Sequence, residues 1–290
     1  MRPGGRIGLL GLCLLLLTGG AGPALAEPSG LRHYVALGDS YTSGPGIPIQ
    51  IPQAAGCGRS DRNYPHLVAA ALAVTQFTDV SCASATTAHM TEAQPLPDGL
   101  IHGPQLDAVS PDVDLVTLGI GGNDIGFGEI IATCVSHSLL IPLGSPCQAH
   151  YTRQGDELGA RIEGTAPKVA AVLSGIRERA PAARVLVIGY PVILPATGPG
   201  CWPLMPIAVG DVAWLRTVEA RLNAMLADEA AAAGATFVDT YASSVGHDVC
   251  RLPGSKWVEG LVPTAPASPV HPNALGMANS AEQVLFALTG

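Results

Sequence analysis

Lysine is nearly missing from this sequence, aromatic residues make up 4% of it and charged residues 13%. With only Lys168 and Lys256, and 15 basic side chains against 23 acidic ones, no positive field is available for phosphate. Nucleic acid is thereby excluded as a partner. So few aromatic rings also argue against stacking platforms for sugars. Neither Cys-x-x-Cys nor His-x-x-x-His spacing occurs, so no metal site is expected. No Gly-x-Gly-x-x-Gly fingerprint follows the first predicted strand, which removes a dinucleotide, and no other cofactor is called for. The longest apolar run, Ile7 to Thr18, is about twelve residues and too short to cross a bilayer of about 30 Å.

What is present is apolar and loop-rich. Hydrophobic residues make up 48% of the 290, enough to build a core and to exclude a disordered chain. Glycine and proline together number 60, which favours many ordered turns over long continuous helices. The apolar run lies between Arg2 and Arg6 on one side and Ala24-Leu25-Ala26 on the other. A basic start, a short apolar stretch and an A-x-A site make a secretory signal peptide, with cleavage expected after Ala26. The remaining 27–290 segment is expected to be one exported domain and a monomer without a stable membrane anchor. It carries 13 basic and 23 acidic side chains.

Removal of Cys13 with the signal leaves Cys57, Cys82, Cys134, Cys147, Cys201 and Cys250. An even number in an exported chain predicts three disulfides. Fifteen pairings exist. The sequential set is favoured because each bond then closes one loop between neighbouring elements, contributing on the order of 3–4 kcal/mol.

Strand-like and helix-like segments alternate. Strands are predicted at 32–37, 77–82, 113–119, 184–189 and 235–240, and helices at 64–74, 103–109, 158–180, 211–233 and 273–288. In 211–233 the residues Leu215, Val218, Leu222 and Met225 recur at helical spacing. Five strands separated by helices predict a three-layer α/β/α sandwich on a five-stranded parallel sheet. In such sheets ligands sit beyond the carboxyl ends of the strands.

Four stretches fall at such positions. The first predicted strand ends in Gly38-Asp39-Ser40, placing a serine hydroxyl just past a buried strand. The second leads into Ser81-Cys82-Ala83-Ser84, small residues whose backbone N–H groups can face the same crevice. The third ends in Gly121-Gly122-Asn123-Asp124, where glycines let the backbone approach a ligand and Asn123 offers an amide. Late in the chain stands Pro269-Val270-His271-Pro272-Asn273, with Pro272 expected to start the last helix. Each stretch alone is as well explained by a turn or a helix cap. Asp39 and Asp124 are read as holding backbone. The other seven histidines and the three tryptophans are read as surface or packing residues.

Taken together, these stretches resemble the SGNH (GDSL-type) hydrolases, in particular their secreted actinobacterial lipase/esterase branch with three disulfides. The resemblance runs from Tyr34 to the final helix and implies a flavodoxin-like sheet and the same sequential disulfides. It implies Ser40 as nucleophile and His271 as base, with the Ser40 and Ser84 N–H groups and the Asn123 amide as the oxyanion hole. Two positions depart from the family pattern. Ser84 stands where glycine is usual, and Ser268 stands where an aspartate usually supports the histidine. A Ser–His dyad is therefore expected, with the main-chain carbonyl of Ser268 or Pro269 orienting His271.

The stretches Ile47–Pro52, Ile125–Ile131 and Leu139–Leu143 are read as apolar loops rimming the site. Such a rim suits acyl chains, and a lipase or carboxylesterase acting on acylglycerols or similar lipid esters is expected. A phospholipase A is the near alternative. A catalytically inactive secreted lipid- or envelope-binding protein of the same fold is the alternative of a different class.

Overall fold

The computed structural model describes residues 30–289, with Met1 and Gly4 besides. The proposed signal peptide and its cleavage point lie essentially outside the described residues.

Five parallel strands form the central sheet: β1 (His33–Gly38), β2 (Gln76–Asp79), β5 (Leu115–Gly119), β6 (Arg184–Ile188) and β7 (Thr236–Val238). They stand in the order β2-β1-β5-β6-β7, and every pairing among them is parallel. A short antiparallel pair, β3 (Gln94–Pro95) with β4 (Ile101–His102), lies apart from it.

Alternation along the strands shows why both faces are covered. Val35, Leu37, Val116, Leu118, Val185 and Val187 point into one core. Tyr34, Ala36, Leu115, Leu186 and Ile188 point into the other. Successive side chains in a strand face opposite ways, so runs apolar at every position need a helical layer on each side. The first core is covered by α5 (Glu157–Arg179) and α6 (Asp211–Ala232), through Val169, Val172, Leu222 and Leu226. The second is covered by α2 (Tyr64–Leu72) and α8 (Ala274–Thr289), through Val68, Met277 and Val284. Counted along the central sheet alone, the strand order is 2-1-3-4-5. The chain reverses direction across the sheet between β1 and β5, and a crevice opens at the carboxyl ends of those two strands.

The remaining helices are α1 (Ser40–Ser43), α3 (Phe127–Leu140), α4 (Pro146–Tyr151) and α7 (Thr240–Ser244). Helix α3 corrects the expectation of apolar loops at 125–131 and 139–143. It turns Ile130, Cys134 and Ser138 inward and Gly128, Ile131, Ala132 and Val135 toward a cleft. Phe127, Ile130, Ile131, Cys134 and Val135 recur at helical spacing along it, a helical signal that the loop reading passed over. Leu139, Leu140, Ile141 and Leu143 are exposed and do not line that cleft. None of Ile47–Pro52 lines that cleft; Ile47 is buried in the α2/α8 core and Ile49 is exposed elsewhere. The expected helix at 103–109 is a 3₁₀ turn, Gln105–Ala108. The last helix is capped by Asn273, whose Oδ1 accepts from Leu275 N and Gly276 N, and does not start at Pro272. The three disulfides are Cys57–Cys82, Cys134–Cys147 and Cys201–Cys250.

Candidate active site

Ser40 begins α1, directly after β1. The Asp39 side chain accepts from Tyr41 N and caps the turn, which fixes where the Ser40 hydroxyl points. Its Oγ lies 2.8 Å from His271 Nε2. The other imidazole nitrogen, Nδ1, lies 2.7 Å from the carbonyl oxygen of Pro269. Ser268 is engaged otherwise: its N–H donates to Pro45 O, and its carbonyl accepts from His271 N. Of the two carbonyls expected to orient the histidine, the Pro269 carbonyl is the one in contact with the ring. Since a carbonyl only accepts, Nδ1 carries the proton and Nε2 presents a lone pair to Ser40. Burial pulls the His271 pKa down, against the Pro269 carbonyl, which raises it. The imidazole is therefore neutral at pH 7.

The crevice holding this pair is a cleft of about 490 Å³, lined by Ser40, Ser84, Asn123, Ser268, Pro269 and His271 among others. Asn123 follows β5, and its Nδ2 donates to Ala85 O at 2.8 Å. One of its two amide hydrogens is thus tied to the Ser84–Ala85 segment while the other remains for a ligand. Ser84 has φ +64°, the left-handed region that glycine adopts without cost. Among the described residues no protein acceptor takes the N–H of Ser40 or of Ser84. Ser40, Ser84 and Asn123, the residues that carry these donors, all line the same cleft. A hydroxyl beside a neutral imidazole, with free donors nearby, can attack an electrophilic carbonyl and hold the oxyanion that results.

Two positioning residues, Tyr190 and Glu259, were not visible in the sequence. The Tyr190 hydroxyl donates to Asp39 Oδ2 and accepts from Gly122 N at 2.7 Å, joining the loops after β1 and β5. Burial pushes the Asp39 carboxyl up to about 7, against the hydrogen bonds from Tyr190 and Tyr41. Asp124 accepts from Thr87 N and Thr87 Oγ1, which ties the Asn123 loop to the segment after Ser84. Behind the histidine, Glu259 N donates to His271 O at 2.9 Å. Burial alone would raise the Glu259 carboxyl, but Thr264 N, Asn273 Nδ2 and Lys256 Nζ hold it below its usual range. No sequence signal marks Tyr190 or Glu259, since both act across long chain separations. The remaining cluster of metal-type side chains among the described residues is Cys57, Cys82 and His102. Its two sulfurs are joined in a disulfide and offer no thiolate.

The family model described as "GDSL-like Lipase/Acylhydrolase" matches residues 36–278. Lipase 2 of Streptomyces coelicolor is 44% identical over 286 residues, covering 97% of this chain and 94% of that protein. The crystal structure of phospholipase A1 from Streptomyces albidoflavus superposes with a TM-score of 0.73 at 30% identity, covering 89% of this chain and 99% of that one. The extracellular lipase from Streptomyces rimosus superposes with a TM-score of 0.72, also at 30% identity and with the same coverage.

Proposed function

The chain belongs to the GDSL-like lipase/acylhydrolase family and is a serine-type hydrolase of carboxylic esters; from that premise we propose that Ser40 and His271 form its catalytic dyad. The observation that carries the assignment is the chain of contacts from Ser40 Oγ to His271 Nε2 and from Nδ1 to the Pro269 carbonyl.

In the proposed reaction Ser40 Oγ attacks the ester carbonyl carbon while its proton passes to His271 Nε2. The carbonyl oxygen becomes an oxyanion, held by the N–H groups of Ser40 and Ser84 and the free amide hydrogen of Asn123. As the tetrahedral intermediate collapses, the C–O bond to the alcohol breaks and the alcohol takes the proton from His271. An acyl-serine remains. A water then enters by the same route, loses its proton to His271, and the acid leaves as Ser40 recovers its hydrogen. The Pro269 carbonyl fixes the tautomer but brings no full negative charge, so the imidazolium is steadied less than it would be by aspartate.

The acyl side of the cleft is walled by Phe127, Ile131, Val135 and Leu261, with no lysine or arginine between Asn63 and Thr152. This favours lipid esters such as acylglycerols. The phospholipase A1 likeness supports phospholipid as the second substrate class. The N-terminal signal pattern, together with the extracellular lipase to which this chain is similar, supports export with cleavage after Ala26. The 27–290 segment would then fold as one domain. No helix among the described residues is long and apolar enough to cross a membrane.

The test is hydrolysis of p-nitrophenyl esters from C2 to C16, and of phosphatidylcholine, by the oxidised mature chain beside Ser40→Ala. Turnover by the wild type, abolished in the variant, is expected. A folded wild type with no turnover on any of these, and no labelling by a fluorophosphonate, would move the chain to the inactive binding protein.

A further inference from the structure

Behind the wall of the cleft lies a second, smaller cavity of about 60 Å³, lined by Gly122, Phe127, Ile131, Leu215, Leu222 and Glu219 among others. Phe127 and Ile131 line both spaces, and Gly122 immediately precedes Asn123. The inner cavity is therefore the next room beyond the oxyanion loop, bounded on its far side by α6.

Its lining is apolar except at Glu219 and Tyr190. Half-buried as a residue, Glu219 has its Oε1 sealed from solvent and without a hydrogen-bond partner. Burial pushes this carboxyl well up, opposed only by the N–H of Ile193. In either protonation state its Oε1 can accept a hydrogen bond from a ligand hydroxyl. The other polar groups on the wall are already used: the Tyr190 hydroxyl serves Asp39 and Gly122 N. The space is several times the roughly 10–15 Å³ that one water needs, but a water wants two to four polar partners and finds one here. A sealed carboxyl oxygen without a partner calls for a reason in a native fold, and an apolar residue at 219 would avoid the cost of leaving it so.

We infer that this cavity receives the far end of the acyl chain and that Glu219 selects esters whose chain carries a hydroxyl. The inference rests on the esterase reading above and names the substrate class of that same site. For a chain leaving the carbonyl carbon at Ser40 to end beside α6, the side chains of Phe127 and Ile131, which line both spaces, must part. There a plain methyl terminus leaves Oε1 unsatisfied, whereas a hydroxyl pairs with it. A site that hydrogen-bonds a ligand group discriminates against the analogue lacking that group, because its own polar atom is otherwise stranded.

The experiment compares p-nitrophenyl dodecanoate with a series carrying a hydroxyl at successive carbons, using wild type, Glu219→Gln and Glu219→Leu. For at least one position the wild type should prefer the hydroxyacyl ester by about three- to tenfold in kcat/KM, the range of one neutral hydrogen bond. Glu219→Gln should keep the preference. Glu219→Leu should lose it while hydrolysing p-nitrophenyl butyrate, too short to reach the cavity, at the wild-type rate. It should also melt at a higher temperature, since a stranded carboxyl is removed. Equal rates on every hydroxyl position in the wild type, or a preference that survives Glu219→Leu, would overturn the inference and leave the esterase reading standing. Absence of butyrate hydrolysis in the wild type would instead strike the esterase reading. The cavity is then read by calorimetry, in which hydroxydodecanoic acid must bind tighter than dodecanoic acid.

Discussion

The Tyr41 hydroxyl donates to the carbonyl oxygen of Val270 at 2.7 Å, across 229 residues of sequence. It joins the residue after Ser40 to the residue before His271. The Tyr41 ring also lies against the imidazole, with centroids 5.0 Å apart, and meets the rings of Tyr190 and Phe127 edge-on. Val270 has φ +58°, a left-handed conformation that a β-branched residue adopts only when its surroundings impose it. Both polar groups of Val270 are held there: its carbonyl accepts from the Tyr41 hydroxyl, and its N–H donates to the Gly260 carbonyl at 3.3 Å.

Removing that hydroxyl should therefore act on catalysis more than on binding. In Tyr41→Phe the ring contacts remain while the Val270 carbonyl is left without its donor. We expect kcat to fall about three- to tenfold with KM nearly unchanged, the scale of one net hydrogen bond. Steady-state kinetics on a short p-nitrophenyl ester, with a melting curve alongside, separates this from simple loss of fold. A KM effect with unchanged kcat would show that Tyr41 does not position His271.

The fold could be read from the sequence further than the site's supports could. Buried strands such as Val185–Ile188 are continuous apolar runs, and α6 repeats Leu215, Val218, Leu222 and Met225 at helical spacing, so local pattern suffices for both. Ser40, Asn123 and His271 stand where chain geometry puts reactive groups, at the ends of strands or before a helix. Helix α3 was legible in the same way, since Phe127, Ile130, Ile131, Cys134 and Val135 recur at helical spacing, but the stretch was read by its apolar composition alone. Tyr190, Glu259 and Glu219 escaped for a different reason. Their significance lies in partners or cavities assembled from distant segments, and nothing near them in sequence registers it.

Asn123 is the next test of the dyad reading. Its Nδ2 is shared between Ala85 O and the cleft, so truncation removes a donor and loosens the Ser84 segment together. Asn123→Ala should lower kcat by roughly 10²–10³, the usual effect of one oxyanion donor. A loss smaller than about tenfold would remove Asn123 from that role.

Ser84 holds φ +64°, where an L-residue costs roughly 1–2 kcal/mol relative to glycine's freedom. If its N–H is the donor, the side chain is dispensable. Ser84→Gly should raise the stability of the folded chain by up to about 1 kcal/mol, less than the strain because glycine also gains freedom when unfolded. Activity should be retained within a few-fold. Chemical denaturation and a kcat determination on the same preparation test both halves. Ser84→Val should do the opposite on stability, being β-branched in a left-handed position.

The acid limb of activity follows from His271. The working base is the neutral imidazole, and burial lowers its pKa, with the Pro269 carbonyl opposing. kcat/KM should thus rise with pH and level off, with a midpoint below the ordinary imidazole value of about 6.5. A carboxylate placed at the position where the family usually has one would favour the charged ring, raise its pKa and move the midpoint upward. Ser268→Asp is therefore expected to shift the limb to higher pH, and to raise the plateau if the imidazolium formed on attack is what limits the reaction. The pH profile of kcat/KM on one short ester, for wild type and Ser268→Asp at constant ionic strength, decides it. An unmoved midpoint would mean that a carboxylate at 268 does not reach Nδ1, and that the Pro269 carbonyl keeps the ring to itself.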